Sequence, residues 1–287
     1  MAVEPAPIDW ASARRASYQV RQTFRYEYPQ PITGLSHRLV VIPPERFGDQ
    51  RRLAHSLSVG LEGAQVDSRV DRFGNVVFDV FAPRVAGSIE FTAEIAVERE
   101  ASLPHRLANG WQADSYLLEP TGLTAPDDEI LRAADGLANA GPGGIALADR
   151  VNDWVYQSLT YRHGVTGVRT TAAEALAIGA GVCQDYSHVM LAVCRACGLP
   201  ARYVSGHLLG QGGTHAWVEV VVPAEDGTGD AVAHAFDPTH ASRGGLGYVT
   251  VAVGADYSDV APTSGSYRSG APGTLTATKR VTLLEFA

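Results

Sequence analysis

The segment Gly181–His188 (GVCQDYSH) constrains the fold more than any other part of the chain. Small residues precede its cysteine, and a helical run from Gln184 to Cys197 follows it and stops at Gly198. This pattern predicts that Cys183 lies at the N-terminus of a helix. There, unpaired backbone N–H groups and the positive end of the helix dipole favour a thiolate and can hold an oxyanion. Cys183 is therefore a candidate nucleophile.

Two apolar runs downstream of this cysteine predict an antiparallel hairpin. They are residues 214–222 (THAWVEVVV) and 231–237 (AVAHAFD), and the turn-rich segment PAEDGTGD separates them. If the pairing is centred near residue 226, the middle of this loop, His215 lies opposite Asp237. Because side chains alternate along a strand, both residues then share one face, and the other face is mostly apolar. The spacing thus selects one His and one Asp, provided that the turn keeps this register.

Alternating apolar and polar residues predict half-buried strands at the start of the chain. Residues 17–28 alternate in this way, and residues 89–97 repeat the pattern. Several strands of this kind without a helical pattern predict an antiparallel β-sandwich-like domain over residues 15–103. The irregular segment 104–125 contains two prolines and two glycines and is predicted to connect this domain to a second one.

Helical patterns predominate in the first part of residues 126–287, the predicted second domain. Acidic residues after Pro126 open a helix, and Thr171 with Glu174 forms a capping box for a short one. The helix that begins near Cys183 has apolar residues around most of its circumference, which predicts that it is buried centrally. The alternating strands at the C-terminus are assigned to this same domain.

Three features in combination resemble the transglutaminase-like superfamily of papain-like cysteine enzymes. They are a Cys that opens a helix, a His followed by an aromatic residue on a strand (His215 and Trp217), and an Asp-Pro that ends the next strand (Asp237). The segment GVCQDYSHVMLAVCRACGLPARYVSGHL is similar to the bacterial branch of that superfamily. The segments FRYEYPQPITGLSHRLVVIPP and DRFGNVVFDVF are similar to its N-terminal β domain, and the tail GADYSDVAPTSGSYRSG is similar too. The resemblance extends from about Tyr18 to the end of the chain.

The resemblance implies an α+β fold, in which the N-terminal antiparallel β-sandwich-like domain precedes a papain-like, transglutaminase-like core of helices packed on an antiparallel sheet. It also implies a catalytic triad of Cys183, His215 and Asp237. The reaction is then acyl transfer, in which the Cys183 backbone N–H helps to stabilise the oxyanion. Three side chains are candidates for the second oxyanion donor: Tyr161, Gln184 and Trp217.

The expected reaction is hydrolysis of a peptide, protein or other amide substrate. Nothing in the sequence identifies a binding place for an acceptor lysine, and hydrolysis is favoured for that reason. A protein transglutaminase with an amine acceptor has the same triad and remains an alternative. A third possibility is a non-catalytic scaffold that uses this fold for partner binding.

The other cysteines and histidines have simpler interpretations. His188 lies about 140° around the helix from Cys183, which favours a packing or surface role. Cys194 and Cys197 have the spacing of a zinc pair. Cys183 cannot join them, because Cys194 is roughly 16 Å along the helix from Cys183 and the two cannot bind the same ion. Without a second Cys or His pair to complete a tetrahedral set, core packing is the better interpretation, and no metal or cofactor is expected. No pairing argument selects His207, His234 or His240, although His240 is close enough to Asp237 in the sequence to line the edge of the site.

Charge and composition exclude several classes of protein. The net charge is −8 and Lys and Arg form no run, which argues against binding to nucleic acid and to anionic membranes. No stretch approaches eighteen apolar residues, and the first residues have prolines and acidic side chains where a signal peptide has an apolar core. Three cysteines suit a reducing compartment, so a cytoplasmic location is expected. The oligomeric state is left open.

Overall fold

The computed structural model describes residues 13–101, 105–268 and 272–287. It has mostly antiparallel sheets and a small number of helices, so the predicted α+β class is confirmed. The first part of the chain contains seven strands: β1 (Arg15–Glu27), β2 (Ile32–Ile42), β3 (Arg46–Phe47), β4 (Gln50–Val59), β5 (Gln65–Val70), β6 (Val76–Val85) and β7 (Ser88–Glu100).

The rest of the chain alternates short strands with helices before it returns to strands. In chain order these are β8 (His105–Leu107), 3₁₀ turns at Trp111–Ala113 and Ser115–Leu117, α1 (Asp128–Asn139), α2 (Ile145–Ser158), β9 (Thr160–Tyr161), α3 (Ala172–Ile178), β10 (Ala180–Gly181) and α4 (Cys183–Ala196). They are followed by β11 (Ala201–Leu208), β12 (His215–Pro223), β13 (Ala231–Asp237), β14 (Ser242–Arg243), β15 (Tyr248–Gly254), α5 (Tyr257–Val260), β16 (Thr263–Arg268) and β17 (Thr274–Phe286).

The N-terminal β region is a sandwich of two antiparallel sheets. One has the strand order β17-β1-β7-β4-β3 and the other the order β16-β2-β6-β5. Every second residue of β1 and β7 points into the space between the sheets, as the alternation predicts, and Val20, Phe91 and Ile95 are buried there. The apolar faces of the two sheets together form one hydrophobic core.

The second region is built around α4. Its sheet has the order β14-β13-β12-β11-β15, and β8 pairs with the first three residues of β13, 231–233. The apolar face of the predicted hairpin, which includes Val218, Val220 and Phe236, packs in one cluster with Val189 and Met190 of α4. Helices α1, α2 and α3 surround the remaining sides of α4, so its residues from Asp185 to Arg195 are buried. Burial on all sides explains the apolar run from Val189 to Cys194.

The helix boundaries follow the capping signals in the sequence. Asp127 caps α1 by accepting hydrogen bonds from the backbone N–H groups of Glu129 and Ile130, and Thr171 and Glu174 form the predicted capping box of α3. None of the helices among the described residues is both long and apolar enough to cross a membrane.

Two buried amide side chains attach the sandwich to the core at β15, the edge strand of the core sheet. Gln50 donates to the Thr250 carbonyl (2.7 Å) and accepts from its N–H (2.9 Å). Asn75 makes the same two contacts with Val253, at 2.8 Å and 2.9 Å. Each amide thus satisfies one donor and one acceptor on an edge that would otherwise expose unpaired backbone groups.

The last two strands do not belong to the second domain, to which their position in the sequence assigned them. β17 pairs along its length with β1, and β16 pairs with β2, so both extend the N-terminal sandwich. The alternating pattern of residues 274–286 predicts a half-buried strand correctly but contains no information about its partner. This return of the chain brings β17 next to the candidate active site.

Candidate active site

Cys183 is the first residue of α4, at the position that the sequence predicts. The chain reaches it through β10, which pairs in parallel with β9 so that Gly181 lies beside Tyr161. The thiol is free and half-buried. The unpaired N–H groups at the start of α4 therefore surround a sulfur that a substrate can reach.

Asp185, which the sequence analysis did not single out, holds the turn before Cys183. Its carboxylate is 1% exposed and accepts hydrogen bonds from the Val182 N–H and the Thr166 hydroxyl, both at 2.7 Å. Burial raises the pKa of this carboxyl, and the two hydrogen bonds oppose the rise. A Cβ on Gly181 would lie 2.5 Å from Asp185 Oδ2, so only glycine permits this close approach.

The hairpin pairs in a register that differs from the predicted one. Val218 lies opposite Phe236 and the loop closes between Ala224 and Asp230, so the pairing is centred on residue 227 and not 226. The turn conformation determines this centre, and the loop composition did not reveal it. His215 is consequently not directly opposite Asp237. Since a shift of the centre by one residue moves the partner by two, every side chain keeps its predicted face.

His215 and Asp237 therefore meet as diagonal neighbours on that face. His215 Nε2 lies 2.7 Å from Asp237 Oδ2, and both side chains are almost completely buried. The two residues that the spacing selects thus lie in contact, although the predicted register is wrong. Diagonal neighbours in an antiparallel pair are within reach of an imidazole ring.

Asp237 accepts further hydrogen bonds that fix its orientation. The Tyr248 hydroxyl donates to Oδ2 (2.8 Å), His240 Nδ1 donates to the same oxygen (2.7 Å), and the Thr239 N–H donates to Oδ1 (3.0 Å). Burial works to raise the pKa of Asp237, but the interactions with His215 and His240 outweigh it and hold this pKa below its usual value. Tyr248 was not predicted as part of the site, because it lies on β15 and no sequence pattern links it to Asp237 on β13.

The imidazole of His215 is held in its charged form. Burial works to lower its pKa, but the hydrogen bond to Asp237 and the interaction with Cys183 outweigh burial and raise the pKa to about 9. The other ring nitrogen, Nδ1, is buried and makes no hydrogen bond of normal geometry within the described residues. His215 thus lies between a carboxylate and the Cys183 sulfur, and a positive imidazole beside a thiol stabilises the thiolate.

The three side-chain candidates for the second oxyanion donor have different environments. Gln184 Nε2 donates to the Val168 carbonyl (3.3 Å), so this amide is already engaged. Trp217 is 1% exposed and packs against both His215 and Tyr248. Tyr161 is 44% exposed, and burial and the nearby Cys183 raise the pKa of its hydroxyl. Tyr161 is therefore the most accessible of the three candidates.

His188, Cys194 and Cys197 have structural roles in the core. His188 is completely buried, and its Nε2 accepts a hydrogen bond from the Tyr257 N–H (3.2 Å), in agreement with the predicted packing role. Cys194 is 0% exposed, and burial raises the pKa of its thiol. The Cys197 thiol donates to the Ala134 carbonyl (3.4 Å).

One group of side chains in the described residues has the composition of a metal site. The ligand atoms of His215, Asp237 and His240 lie within 4.8 Å of one another. Their mutual hydrogen bonds of 2.7 Å already use the Asp237 oxygen that would bind an ion. The Asp237 carboxylate is therefore already hydrogen-bonded to both imidazole rings, and the group does not need an ion to satisfy it.

Comparison with known families matches both regions of the chain. The family model described as the transglutaminase-like superfamily matches residues 132–229, which include Cys183 and His215 but end before Asp237. The model described as the bacterial transglutaminase-like N-terminal region matches residues 18–98. The first match lies within the core, and the second lies within strands β1 to β7 of the sandwich.

Comparison with individual proteins extends the likeness to nearly the whole chain. An uncharacterized protein of Mycobacterium leprae is 31% identical over 220 residues, which cover 69% of this chain and 75% of that protein. An uncharacterized protein of Mycobacterium tuberculosis (strain H37Rv) is 30% identical over 280 residues, or 86% of each chain. The crystal structure of a candidate cysteine protease from Cytophaga hutchinsonii is similar in fold, with a TM-score of 0.75 at 20% identity, and the match covers 94% of this chain and 91% of that one. With these matches, the chain belongs to the transglutaminase-like superfamily.

Proposed function

We propose that the protein is a cysteine-dependent acyl-transfer enzyme that hydrolyses peptide or related amide bonds, with Cys183, His215 and Asp237 as its triad. The observation that carries this proposal is the position of the His215 ring. Its Nε2 is 2.7 Å from a completely buried carboxylate, and the ring also interacts with a half-buried sulfur at a helix N-terminus. A nucleophile, a base and an orienting acid in contact are the requirements for covalent acyl transfer.

In the acylation half-reaction, the Cys183 thiolate attacks the carbonyl carbon of the amide and a C–S bond forms. The carbonyl oxygen becomes an oxyanion, which the backbone N–H of Cys183 and the Tyr161 hydroxyl stabilise. Protonated His215 then donates its proton to the leaving nitrogen, the C–N bond breaks, and the amine departs. The enzyme is left as a thioester with a neutral His215.

In the second half-reaction, neutral His215 removes a proton from water, which attacks the thioester carbonyl. The C–S bond breaks, a carboxylic acid is released, and the thiolate beside protonated His215 is restored. Asp237 keeps its charge throughout and stabilises the imidazolium. The hydrogen bonds from Tyr248, His240 and Thr239 hold this carboxylate in position.

The alternative reaction replaces water with an amine and yields a new amide. The triad supports both outcomes, so they must be separated by products. Incubation of a glutamine-containing peptide with the enzyme and a soluble amine should release ammonia and form glutamate, with little amide product. Formation of the amine adduct as the main product would identify the enzyme as a transglutaminase.

The nucleophile can be tested without a known substrate by labelling with iodoacetamide at pH 6. An ordinary thiol, with a pKa of about 8.5, is roughly 0.3% ionised at this pH and reacts slowly. Wild-type protein should incorporate one equivalent rapidly, and Cys183→Ala should not, which separates this site from Cys194 and Cys197. His215→Ala should lose the rapid reaction at pH 6. Labelling of His215→Ala at the wild-type rate would show that no Cys–His ion pair exists and would contradict the proposal.

A further inference from the structure

Lys279 is the single lysine among the 23 lysine and arginine residues of the chain. It lies on β17 opposite Gln22 of β1. Residues directly opposite each other in an antiparallel pair point to the same face, and Gln22 is 5% exposed on the inner face of the sandwich. Lys279 therefore points inward, while its neighbour Arg280 points to solvent on the other face.

The side chain of Lys279 lines a cavity of about 260 Å³ between the sandwich and the core. β1 and β17 form one wall of it, with Gln22 and Phe24 among the lining residues. The segment Gly212–Thr214, immediately before His215, and Tyr257 of α5 line the other side. A volume just below the usual range for drug-sized ligands suits one or two amino-acid residues.

This cavity adjoins the candidate base. Gly213 and Thr214, which line it, come immediately before His215, and the Lys279 ammonium donates to the Gly213 carbonyl. Burial lowers the pKa of Lys279 to about 8, and the nearby sulfur opposes this shift. A substrate whose carbonyl lies at Cys183 can therefore extend into the cavity.

The ammonium of Lys279 has no carboxylate partner in the part of the chain that the structure describes. It donates to the Gly213 carbonyl, and no described Asp or Glu forms an ion pair with it. A half-buried ammonium has three donors and loses solvation, so an anion in the cavity would stabilise it. Lys279 is the single cation among the described residues that line the cavity, so one carboxylate neutralises it, whereas a doubly charged phosphate would leave one negative charge unpaired there.

We propose that Lys279 is a specificity-determining residue that binds a carboxylate of the amide substrate next to the scissile bond, so that the enzyme prefers acidic peptides. This inference rests on the proposed function, because it concerns the amide substrate of the proposed hydrolase. It also gives the N-terminal β region a role, because β1 and β17 of the sandwich then form part of the substrate-binding cleft of the core.

Peptide binding to the Cys183→Ala protein tests the inference without turnover. The probes are alanine-based peptide amides with one Glu placed at successive positions, each paired with the same peptide carrying Gln. We expect one position at which the Glu peptide binds about tenfold more tightly than its Gln partner, the size of one hydrogen bond to a charged group. Lys279→Met should abolish this preference, and Lys279→Arg should retain part of it.

The matched control is Arg280→Met, which removes the same charge from the opposite face of the same strand. It should leave the preference for Glu unchanged. No preference at any position, no detectable binding of any peptide, or a preference that survives in Lys279→Met would each overturn the inference. A preference that depends on Lys279 in a protein that neither turns over amides nor labels at Cys183 would support the carboxylate site and reject the hydrolase.

Because Lys279 is the single lysine, its amine can also be observed directly. Reductive methylation with ¹³C-formaldehyde labels this residue and the chain's α-amino group, which titrate as separate NMR signals. The Lys279 signal should titrate near pH 8 and shift on addition of the Glu peptide but not of the Gln peptide. A Lys279 signal that titrates like a free lysine and does not respond to the Glu peptide would contradict the assignment.

Discussion

The two regions of the molecule bury different kinds of polar side chain. Among the described residues before position 102, the buried polar groups are neutral: Ser17, Gln22, His37, Gln50 and Asn75. All of the buried Asp, Glu and Arg side chains of the described chain lie in the core: Asp185, Arg195, Arg202, Glu219, Asp237 and Asp256. Buried charge is costly unless it is paired and hydrogen-bonded, so its concentration around α4 and the hairpin marks the part of the protein where charge is needed.

The contrast is clearest for two arginine–carboxylate pairs. In the core, Arg202 and Glu219 are each 6% exposed and lie 2.6 Å apart. In the sandwich, Arg69 and Asp79 are 52% and 47% exposed at a similar distance of 2.8 Å. The same kind of ion pair is thus buried in the core and exposed on the sandwich. Substitutions in the two pairs should therefore differ in their effect on stability.

The largest effect is expected for Asp237→Asn, which keeps the shape of the side chain but removes its charge. His215 loses the interaction that outweighs burial, so its pKa should fall from about 9 and the charged ring should be depleted at neutral pH. By analogy with other triads, kcat/KM should fall by up to about 10⁴-fold yet stay above that of Cys183→Ala. Activity and the NMR titration of His215 measure the two effects. Asp79→Asn, in the sandwich, should change neither, and an equal loss there would contradict the comparison.

The next effect is on stability, for Glu219→Gln. Interactions with Arg202 and His105 outweigh the effect of burial and lower the pKa of Glu219 to about 2, so the carboxylate is charged and its loss leaves Arg202 buried without a counter-ion. The free energy of unfolding should fall by about 3–5 kcal/mol. Asp79→Asn is the matched exposed pair and should cost less than about 1 kcal/mol. Urea denaturation of both variants measures this difference, and similar costs would remove the distinction between the regions.

Acid should destabilise both regions alike, since each buries neutral histidine. Burial lowers the pKa of His37 in the sandwich and of His188 in the core to about 4. As pH falls below 6.5, the unfolded chain binds protons that the folded protein does not, so stability decreases until the folded pKa is reached. Each histidine contributes about 1.4 kcal/mol per pH unit in this interval. Unfolding free energies between pH 7 and pH 5 should show a shallower slope in His37→Gln and in His188→Gln. An unchanged slope would show that the replaced histidine is charged in the folded protein.

The smallest effect is expected for Tyr248→Phe. It removes one hydrogen bond from Asp237, which keeps its contacts with His215, His240 and Thr239. Activity should fall by less than about tenfold, and stability by about 1 kcal/mol. Tyr18→Phe, whose hydroxyl donates to the Leu246 carbonyl (2.6 Å), is the control from the sandwich. It should cost similar stability without loss of activity, and a similar loss of activity in both would assign Tyr248 a structural role only.

Local signals allowed much of this structure to be predicted. The small residues, cysteine and apolar run around Cys183 predict the start of α4, because caps and helical periodicity depend on neighbouring residues. The capping box at Thr171 and the alternation of residues 17–28 are local in the same sense. The face shared by His215 and Asp237 was also predictable, because alternation survives a shift of two residues.

By itself, then, the sequence determined the start of α4, the alternating strands with their buried faces, and the selection of one Cys, one His and one Asp as candidates. The tertiary structure alone decided the partner of β17, the contact of Tyr248 with Asp237 and the contact of Lys279 with Gly213. Each joins segments that are distant along the chain, and a strand's pattern specifies which face is buried but not which strand lies beside it. The hairpin centre depended on the turn conformation for the same reason, since backbone hydrogen bonds at Ala224 and Asp230 set it and no side-chain pattern records them.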